Sequence, residues 1–182
     1  MKVTKTFFNG EVKLITPKAH YDDRGFFMET YQYEKLTKYK LNTVFSQDNH
    51  SMSYHTGTIR GLHYQLPPMA QTKLVRVIRG AIFDVVVDIR KSSSTFGEWI
   101  GVELSSDNKK QLYIPKGFAH GFCTKMDNTE VIYKVDANYS RTLERGILWN
   151  DSNIGISWPK DNTILSDKDK NHPLLKDADV FV

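Results

Sequence analysis

Residues 81–89 read AIFDVVVDI. Ala81, Phe83, Val85, Val87 and Ile89 fall on one face of an extended chain, and Ile82, Asp84, Val86 and Asp88 on the other. Side chains of a strand point alternately to its two faces, so this run predicts a β-strand. The same alternation recurs outward from it. In EWIGVEL (98–104) the core face is Ile100, Val102 and Leu104, and in EVIYKV (130–135) Val131, Tyr133 and Val135 share a face opposite Ile132 and Lys134. Turn-forming pairs punctuate the runs at Arg79-Gly80, Asp107-Asn108, Pro115-Lys116-Gly117 and Asp127-Asn128. Many short strands at this spacing, dominating residues 44–149, predict a mainly β antiparallel sandwich or barrel. Helical signals lie toward both ends. One is YQYEKLTKYKL (31–41), with Tyr33, Leu36 and Leu41 loosely at helical period. The other is SDKDKNHPLLKDADV (166–180), with Ser166 and Asp169 at capping-box spacing and Pro173 at a plausible first helical position.

The whole chain bounds the function. Its 182 residues predict one domain with no composition shift that would mark a linker. Lys and Arg exceed Asp and Glu by 25 to 21, and the two signs are interspersed, which argues against a nucleic-acid surface. The apolar runs, such as Val85–Val87, are far too short to span a membrane. The start has no continuous apolar segment of the secretory type, and the single cysteine, Cys123, permits no internal disulfide. A cytoplasmic location is therefore expected.

Chemistry-bearing residues are densest in TIRGLHYQLPPMAQTKLVR (58–76), which places Arg60, His63, Gln65, Gln71, Lys73 and Arg76 in what reads as a single hairpin. Arg60 and His63 have opposite parity on a regular strand, and Gly61 between them is where a bulge or close backbone approach would change it. IPKGFAHGF (114–122) delivers His120, EVIYKV delivers Tyr133, and Asp169 stands near the C-terminal end. Each also has a plain structural reading. A strand histidine is often merely hydrogen-bonded, Tyr133 lies on an apolar face, Asp169 completes a helix cap, and Lys73 and Arg60 could be solvated edge charges.

The ordered series GTIRGLHYQ, AQTKLVR, FDVVVDIR, STFGEWIGVELS, IPKGFAHGF, ILWND, GISWP and LSDKD, preceded by DDRGFFMET and SQDNHS, resembles the dTDP-4-dehydrorhamnose 3,5-epimerase family over nearly the whole chain. The resemblance implies a cupin-type β jelly roll, a homodimer and a nucleotide-linked 4-keto-6-deoxyhexose substrate. It further implies His63 as base, Asp169 as the acceptor that holds it, Tyr133 as acid on the opposite face and Lys73 beside the enolate oxygen. Arg60 falls at a diphosphate position and His120 in the sugar site. Gln47, Asn49, Tyr139, Glu144 and Lys168 fall at other ligand positions, and Arg24 and Glu29 at positions that reach the neighbouring subunit's site.

Many cupins carry a metal. Here the usual first cupin motif is met at Gly57 and His63 but fails at Gln65, and no glutamate follows, Gln71 being nearest. The second survives as Pro115-x-Gly117-x-x-His120. Two histidines and two neutral amides are a poor first-row metal set, so no metal is expected. No G-x-G-x-x-G is present, and no redox cofactor is expected. The rivals are an enzyme inverting only one carbon, a binding module without catalysis, and a metal-dependent cupin. A pure binder has no need of an acid and a base together.

Overall fold

A computed structural model describes residues 1–159 and 162–182. The strands are β1 (Lys2–Phe7), β2 (Val12–Thr16), β3 (Ala19–Asp22), β4 (Gly25–Met28), β5 (Gln47–Ser53), β6 (Ile59–Gln65), β7 (Lys73–Arg79), β8 (Ala81–Asp88), β9 (Trp99–Ser105), β10 (Gln111–Ile114), β11 (Phe118–Thr124), β12 (Thr129–Val135) and β13 (Glu144–Gly146). Helix α1 (Tyr33–Thr37) precedes β5, and helix α2 (Asp167–Lys170) follows β13. The chain is mainly β, as its alternation predicts.

Two antiparallel sheets face each other. One has the order β1-β2-β10-β7-β12-β5, the other β13-β6-β11-β8-β9, and β3 and β4 form a separate hairpin. The alternating runs explain the layering. From β8, Ile82 and Val86 enter the core between the sheets with Val75, Leu104, Leu112, Phe122 and Val131. Val85, Val87 and Ile89, on its other face, pack outward beneath residues of the C-terminal segment, including Ile154 and Leu175. A strand buried on both faces follows from apolar residues at both parities. The outer face of the six-stranded sheet is covered at Ile15, Leu74 and Tyr113 by Leu36 and Leu41.

Three expectations need correction. Residues 58–76 do not form a hairpin: β6 belongs to the five-stranded sheet and β7 to the six-stranded one. The intervening stretch, with Pro67 and Pro68, crosses from one sheet to the other, so the chemical groups of this segment face each other across the core space. The helix expected over 31–41 spans only Tyr33–Thr37. Lys40 takes a left-handed conformation (φ 61°), and N–H groups of Lys40 and Leu41 bond the carbonyls of Thr37 and Leu36. That pairing terminates a helix, and the turn lets Leu36 and Leu41 enter one cluster. Pro173 does not open a helix either. Its carbonyl accepts from the Leu148 N–H (2.8 Å), which holds the chain extended, and a 3₁₀ turn starts only at Leu175.

The bulge anticipated at Gly61 is present. Pairing of β6 with β11 shifts between His120↔His63 and Phe122↔Arg60, so β6 carries one residue more than β11 there. Gly61 has φ 133°, and its Cα approaches the backbone of Gly121 too closely for any side chain. The extra residue turns Arg60 to the same side as His63.

Candidate active site

A cleft of about 500 Å³ opens between the sheets. His63 and Arg60 reach it from β6 and His120 from β11, while Lys73 and Tyr133 reach it from β7 and β12 of the facing sheet. Asp169 enters from α2, whose first turn is fixed by Ser166: its Oγ accepts the Asp169 N–H at 3.1 Å. Capping and chemistry are therefore compatible at Asp169, because the cap uses its backbone and leaves its carboxylate free.

That carboxylate binds His63. His63 Nε2 lies 2.6 Å from Asp169 Oδ1, and the Gly61 N–H points at the other oxygen at 3.4 Å. Burial opposes ionisation of Asp169, but His172, His63 and the Gly61 N–H outweigh it and hold the carboxyl well below the usual range. An ionised acceptor places the ring proton on Nε2 and leaves the lone pair on Nδ1. Burial also lowers the pKa of His63, against the pull of Asp169, so the imidazole is neutral near pH 7. A neutral ring held in one tautomer is suited to accept a proton.

Across the cleft, burial raises the Tyr133 pKa, keeping the phenol protonated. Lys73 is buried, and its Nζ lies 3.3 Å from the His63 carbonyl oxygen. Burial pushes its pKa down to about 8, with Asp84 and Glu144 opposing. A poorly solvated ammonium is a strong partner for developing negative charge. His120 Nε2 lies 3.0 and 3.1 Å from the two Asp84 oxygens. At the mouth, Glu144 accepts from the Tyr139 hydroxyl (2.8 Å) and pairs with Lys168 (2.5 Å). Arg60 donates to Ser53 Oγ and the Met52 carbonyl, which aims its guanidinium along the cleft wall.

Not every expected residue meets there. Gln47 and Asn49 bond each other (2.8 Å) on β5, on the inward side that also carries Ser51, which does line the cleft. Arg24 pairs with Asp22 (2.6 Å) in the exposed turn between β3 and β4, and Glu29 pairs with Lys35. Neither lines the cleft of its own chain.

Two residues of the site escaped the sequence reading. Asp84 is wholly buried among the inward residues of β8, and a carboxylate at an apolar parity already signals a partner. His172, whose ring stands edge-on to His63 at 5.6 Å, had no signal beyond residue type.

The positions at which a cupin carries metal ligands do not fit a metal here. Gln65 spends both ends of its amide on backbone groups: Nε2 donates to the carbonyls of Met69 and Asn138, and Oε1 accepts from the Ser140 N–H. Gln71 donates to the Ala137 carbonyl. His63 and His120 are each engaged by a carboxylate. Amides tied to the backbone make a weak donor set.

A jelly roll whose cleft joins a carboxylate-held imidazole, a phenol and a buried ammonium defines a class of enzymes that move protons at carbon. The profile of the dTDP-4-dehydrorhamnose 3,5-epimerase family matches residues 9–177. A dTDP-4-dehydrorhamnose 3,5-epimerase of Shigella flexneri is 53% identical over the full length of both chains. The crystal structure of the Bacillus anthracis enzyme of that name, with TDP and pyrophosphate bound, superposes with a TM-score of 0.93 at 53% identity, covering 95% of this chain and 98% of that one. The Legionella pneumophila dTDP-6-deoxy-D-glucose-3,5-epimerase, in complex with dTDP-4-keto-L-rhamnose, gives 0.91 at 43% identity, covering 96% and 93%. The chain belongs to the dTDP-4-dehydrorhamnose 3,5-epimerase family, and its fold is the cupin-type jelly roll.

Proposed function

We propose that this chain, as one domain, inverts carbons 3 and 5 of dTDP-4-dehydro-6-deoxy-D-glucose to give dTDP-4-dehydro-L-rhamnose, without a metal or redox cofactor. The observation that carries this reading is the pair His63 and Tyr133, presented from opposite sheets into one cleft. The names of the relatives support the substrate.

The C–H bonds beside the C4 carbonyl are acidic. His63 takes a proton from carbon 3 or 5 at Nδ1, and the C–H electron pair forms the enolate. Asp169 stabilises the resulting imidazolium, and Lys73 holds the enolate oxygen. The Tyr133 hydroxyl then gives its proton to the opposite face of that carbon, restoring the carbonyl and inverting the centre. Exchange with solvent returns the imidazolium and phenolate to their starting forms.

The nucleotide half is assigned to Arg60 on the diphosphate, where a guanidinium can engage two oxygens, with Gln47, Asn49, Tyr139, Glu144 and Lys168 around it. His120 contacts the sugar. Arg24 and Glu29 serve the neighbouring subunit of a homodimer. This agrees with their distance from their own cleft and with Tyr21, Phe26 and Phe27 exposed on the β3–β4 hairpin. A cytoplasmic location agrees with the one cysteine, a buried thiol. Among the described residues, no helix is long and apolar enough to cross a membrane.

The test is incubation with the 4-keto-6-deoxyglucose nucleotide in heavy water, followed by proton NMR. Deuterium at both carbons is expected. Label at one carbon makes this a single-site epimerase, and no label reduces it to a binding module.

A further inference from the structure

We infer that His63, Asp169 and His172 form a capture site for a borderline divalent metal ion such as Zn2+, and that occupation of this site switches the base off. The metal site stands on the coordinates alone. The inhibitory consequence rests on the reading of His63 as base.

One ligand atom from each of the three side chains lies within 4.8 Å of the others. His63 Nε2 and His172 Nε2 flank the same carboxylate oxygen, Asp169 Oδ1, at 2.6 and 3.5 Å. Zinc holds imidazole nitrogens and carboxylate oxygens at about 2.0–2.2 Å, which sets tetrahedral ligand atoms roughly 3.3 Å apart. The first pair must open from 2.6 Å, and the two imidazole nitrogens must close from a separation of no more than 4.8 Å, movements that side-chain rotation supplies. Two imidazoles and one carboxylate are also a donor set that zinc favours.

A second observation points to a ligand. His172 Nε2 is buried and makes no well-formed hydrogen bond, its contact with Asp169 Oδ1 being a longer electrostatic approach at 3.5 Å. Buried polar atoms are rarely left so. The ring is deliberately accommodated: on β13, opposite His63, stands Gly146, and a Cβ there would lie 2.3 Å from His172 Nε2. The half-buried His63 ring faces the cleft, which can supply water as a fourth ligand. The trio shares His63 with the cupin positions but offers Asp169 and His172 in place of the amides Gln65 and Gln71, which do not fit a metal. An ion bound at His63 Nε2 would move the proton of the neutral ring from Nε2 to Nδ1 and take the carboxylate that orients the ring, so Nδ1 could no longer accept a proton as the reaction requires.

The test begins with calorimetric titration of Zn2+ into the metal-free full chain. One ion per chain is expected, and Co2+ in its place should show the intense visible bands of a tetrahedral site. His172→Phe keeps a flat ring beside Gly146 but removes the ligand. It should weaken binding by at least the roughly 10–100-fold that loss of a mere outer partner costs. In the wild type, Co2+ should broaden the imidazole NMR signals of His63 and His172, a readout that needs no variant. Zn2+ should suppress solvent deuterium exchange into substrate, chelation should restore it, and His172→Phe should resist suppression relative to its own metal-free rate. Absence of stoichiometric binding, equal binding by the variant, or broadening of other histidines overturns the site. Binding that leaves exchange untouched overturns the switch. If the metal-free protein exchanges nothing, the proposed function fails while the titration still decides the metal site.

Discussion

Gly61 and Gly121 meet backbone to backbone: a Cβ on Gly61 would lie 2.5 Å from Gly121 Cα and 2.9 Å from the His120 carbonyl oxygen. This contact brings the His63 and His120 strands together at the bulge that turns Arg60 into the cleft. Gly61→Ala combines overpacking against backbone with a positive φ, a sum of about 2–6 kcal/mol. Denaturant unfolding should show that loss, and turnover should fall because the two strands part. A variant of unchanged stability would mean that the contact is softer than drawn.

Asp169→Asn keeps the shape of the carboxylate but removes its charge from His63 Nε2. The imidazolium formed on proton abstraction loses its counter-ion, and the ring can take the wrong tautomer. The turnover number should fall by ~10²–10⁴-fold with KM little changed. Steady-state kinetics check this, and a loss confined to KM would place Asp169 in binding instead.

Tyr133→Phe separates the two halves of the reaction. With His63 intact, carbon-bound protons should still wash out into heavy water. Net inversion should drop by ~10²-fold or more, because redelivery from the far face is lost. Equal loss of both activities would break the two-faced assignment.

The pH profile follows from two buried groups. Burial lowers the His63 pKa from its ordinary value, and a histidine base works when neutral, so the rate should fall as pH drops through that lowered pKa. Burial pushes Lys73 down to about 8, and in its proposed role it acts when charged, so the rate should fall again as pH rises past about 8. Lys73→Gln should be slower overall and lack the alkaline limb in a kcat/KM profile. Persistence of that limb in the variant would assign it to another group.

Arg24 lies in an exposed turn away from its own cleft. Mixing Arg24→Ala and His63→Ala chains should restore activity that neither homodimer has in full, because one mixed site regains both side chains. Lack of complementation after confirmed subunit exchange would return Arg24 to its own chain.

Local pattern made much of this legible. The parity of Val131, Tyr133 and Val135 puts a phenol on the core side of β12, and the inward register of β8 carries Asp84 there too. Which strands pair is a different question. Alternation says which face a residue occupies but not which sheet its strand joins, so residues 58–76 looked like a hairpin although they bridge two sheets. The short reach of α1 was hidden as well, since its end depends on a left-handed lysine rather than on a glycine. The meeting of His172 with His63 and Asp169 depends on the fold of the C-terminal segment and on room left by Gly146, neither of which has a periodic signature.

The proposed base and acid, His63 and Tyr133, are mounted on separate sheets, and Phe122 both lines the cleft and belongs to the apolar cluster that spaces those sheets. The gauge of the jaws is thus set by hydrocarbon volume. Resizing a residue such as Val86 or Val131, neither of which lines the cleft, should shift the imidazole relative to the phenol and alter the balance of stereochemical outcomes at the two carbons. Stereocontrol in this molecule is a property of its filling as much as of its teeth.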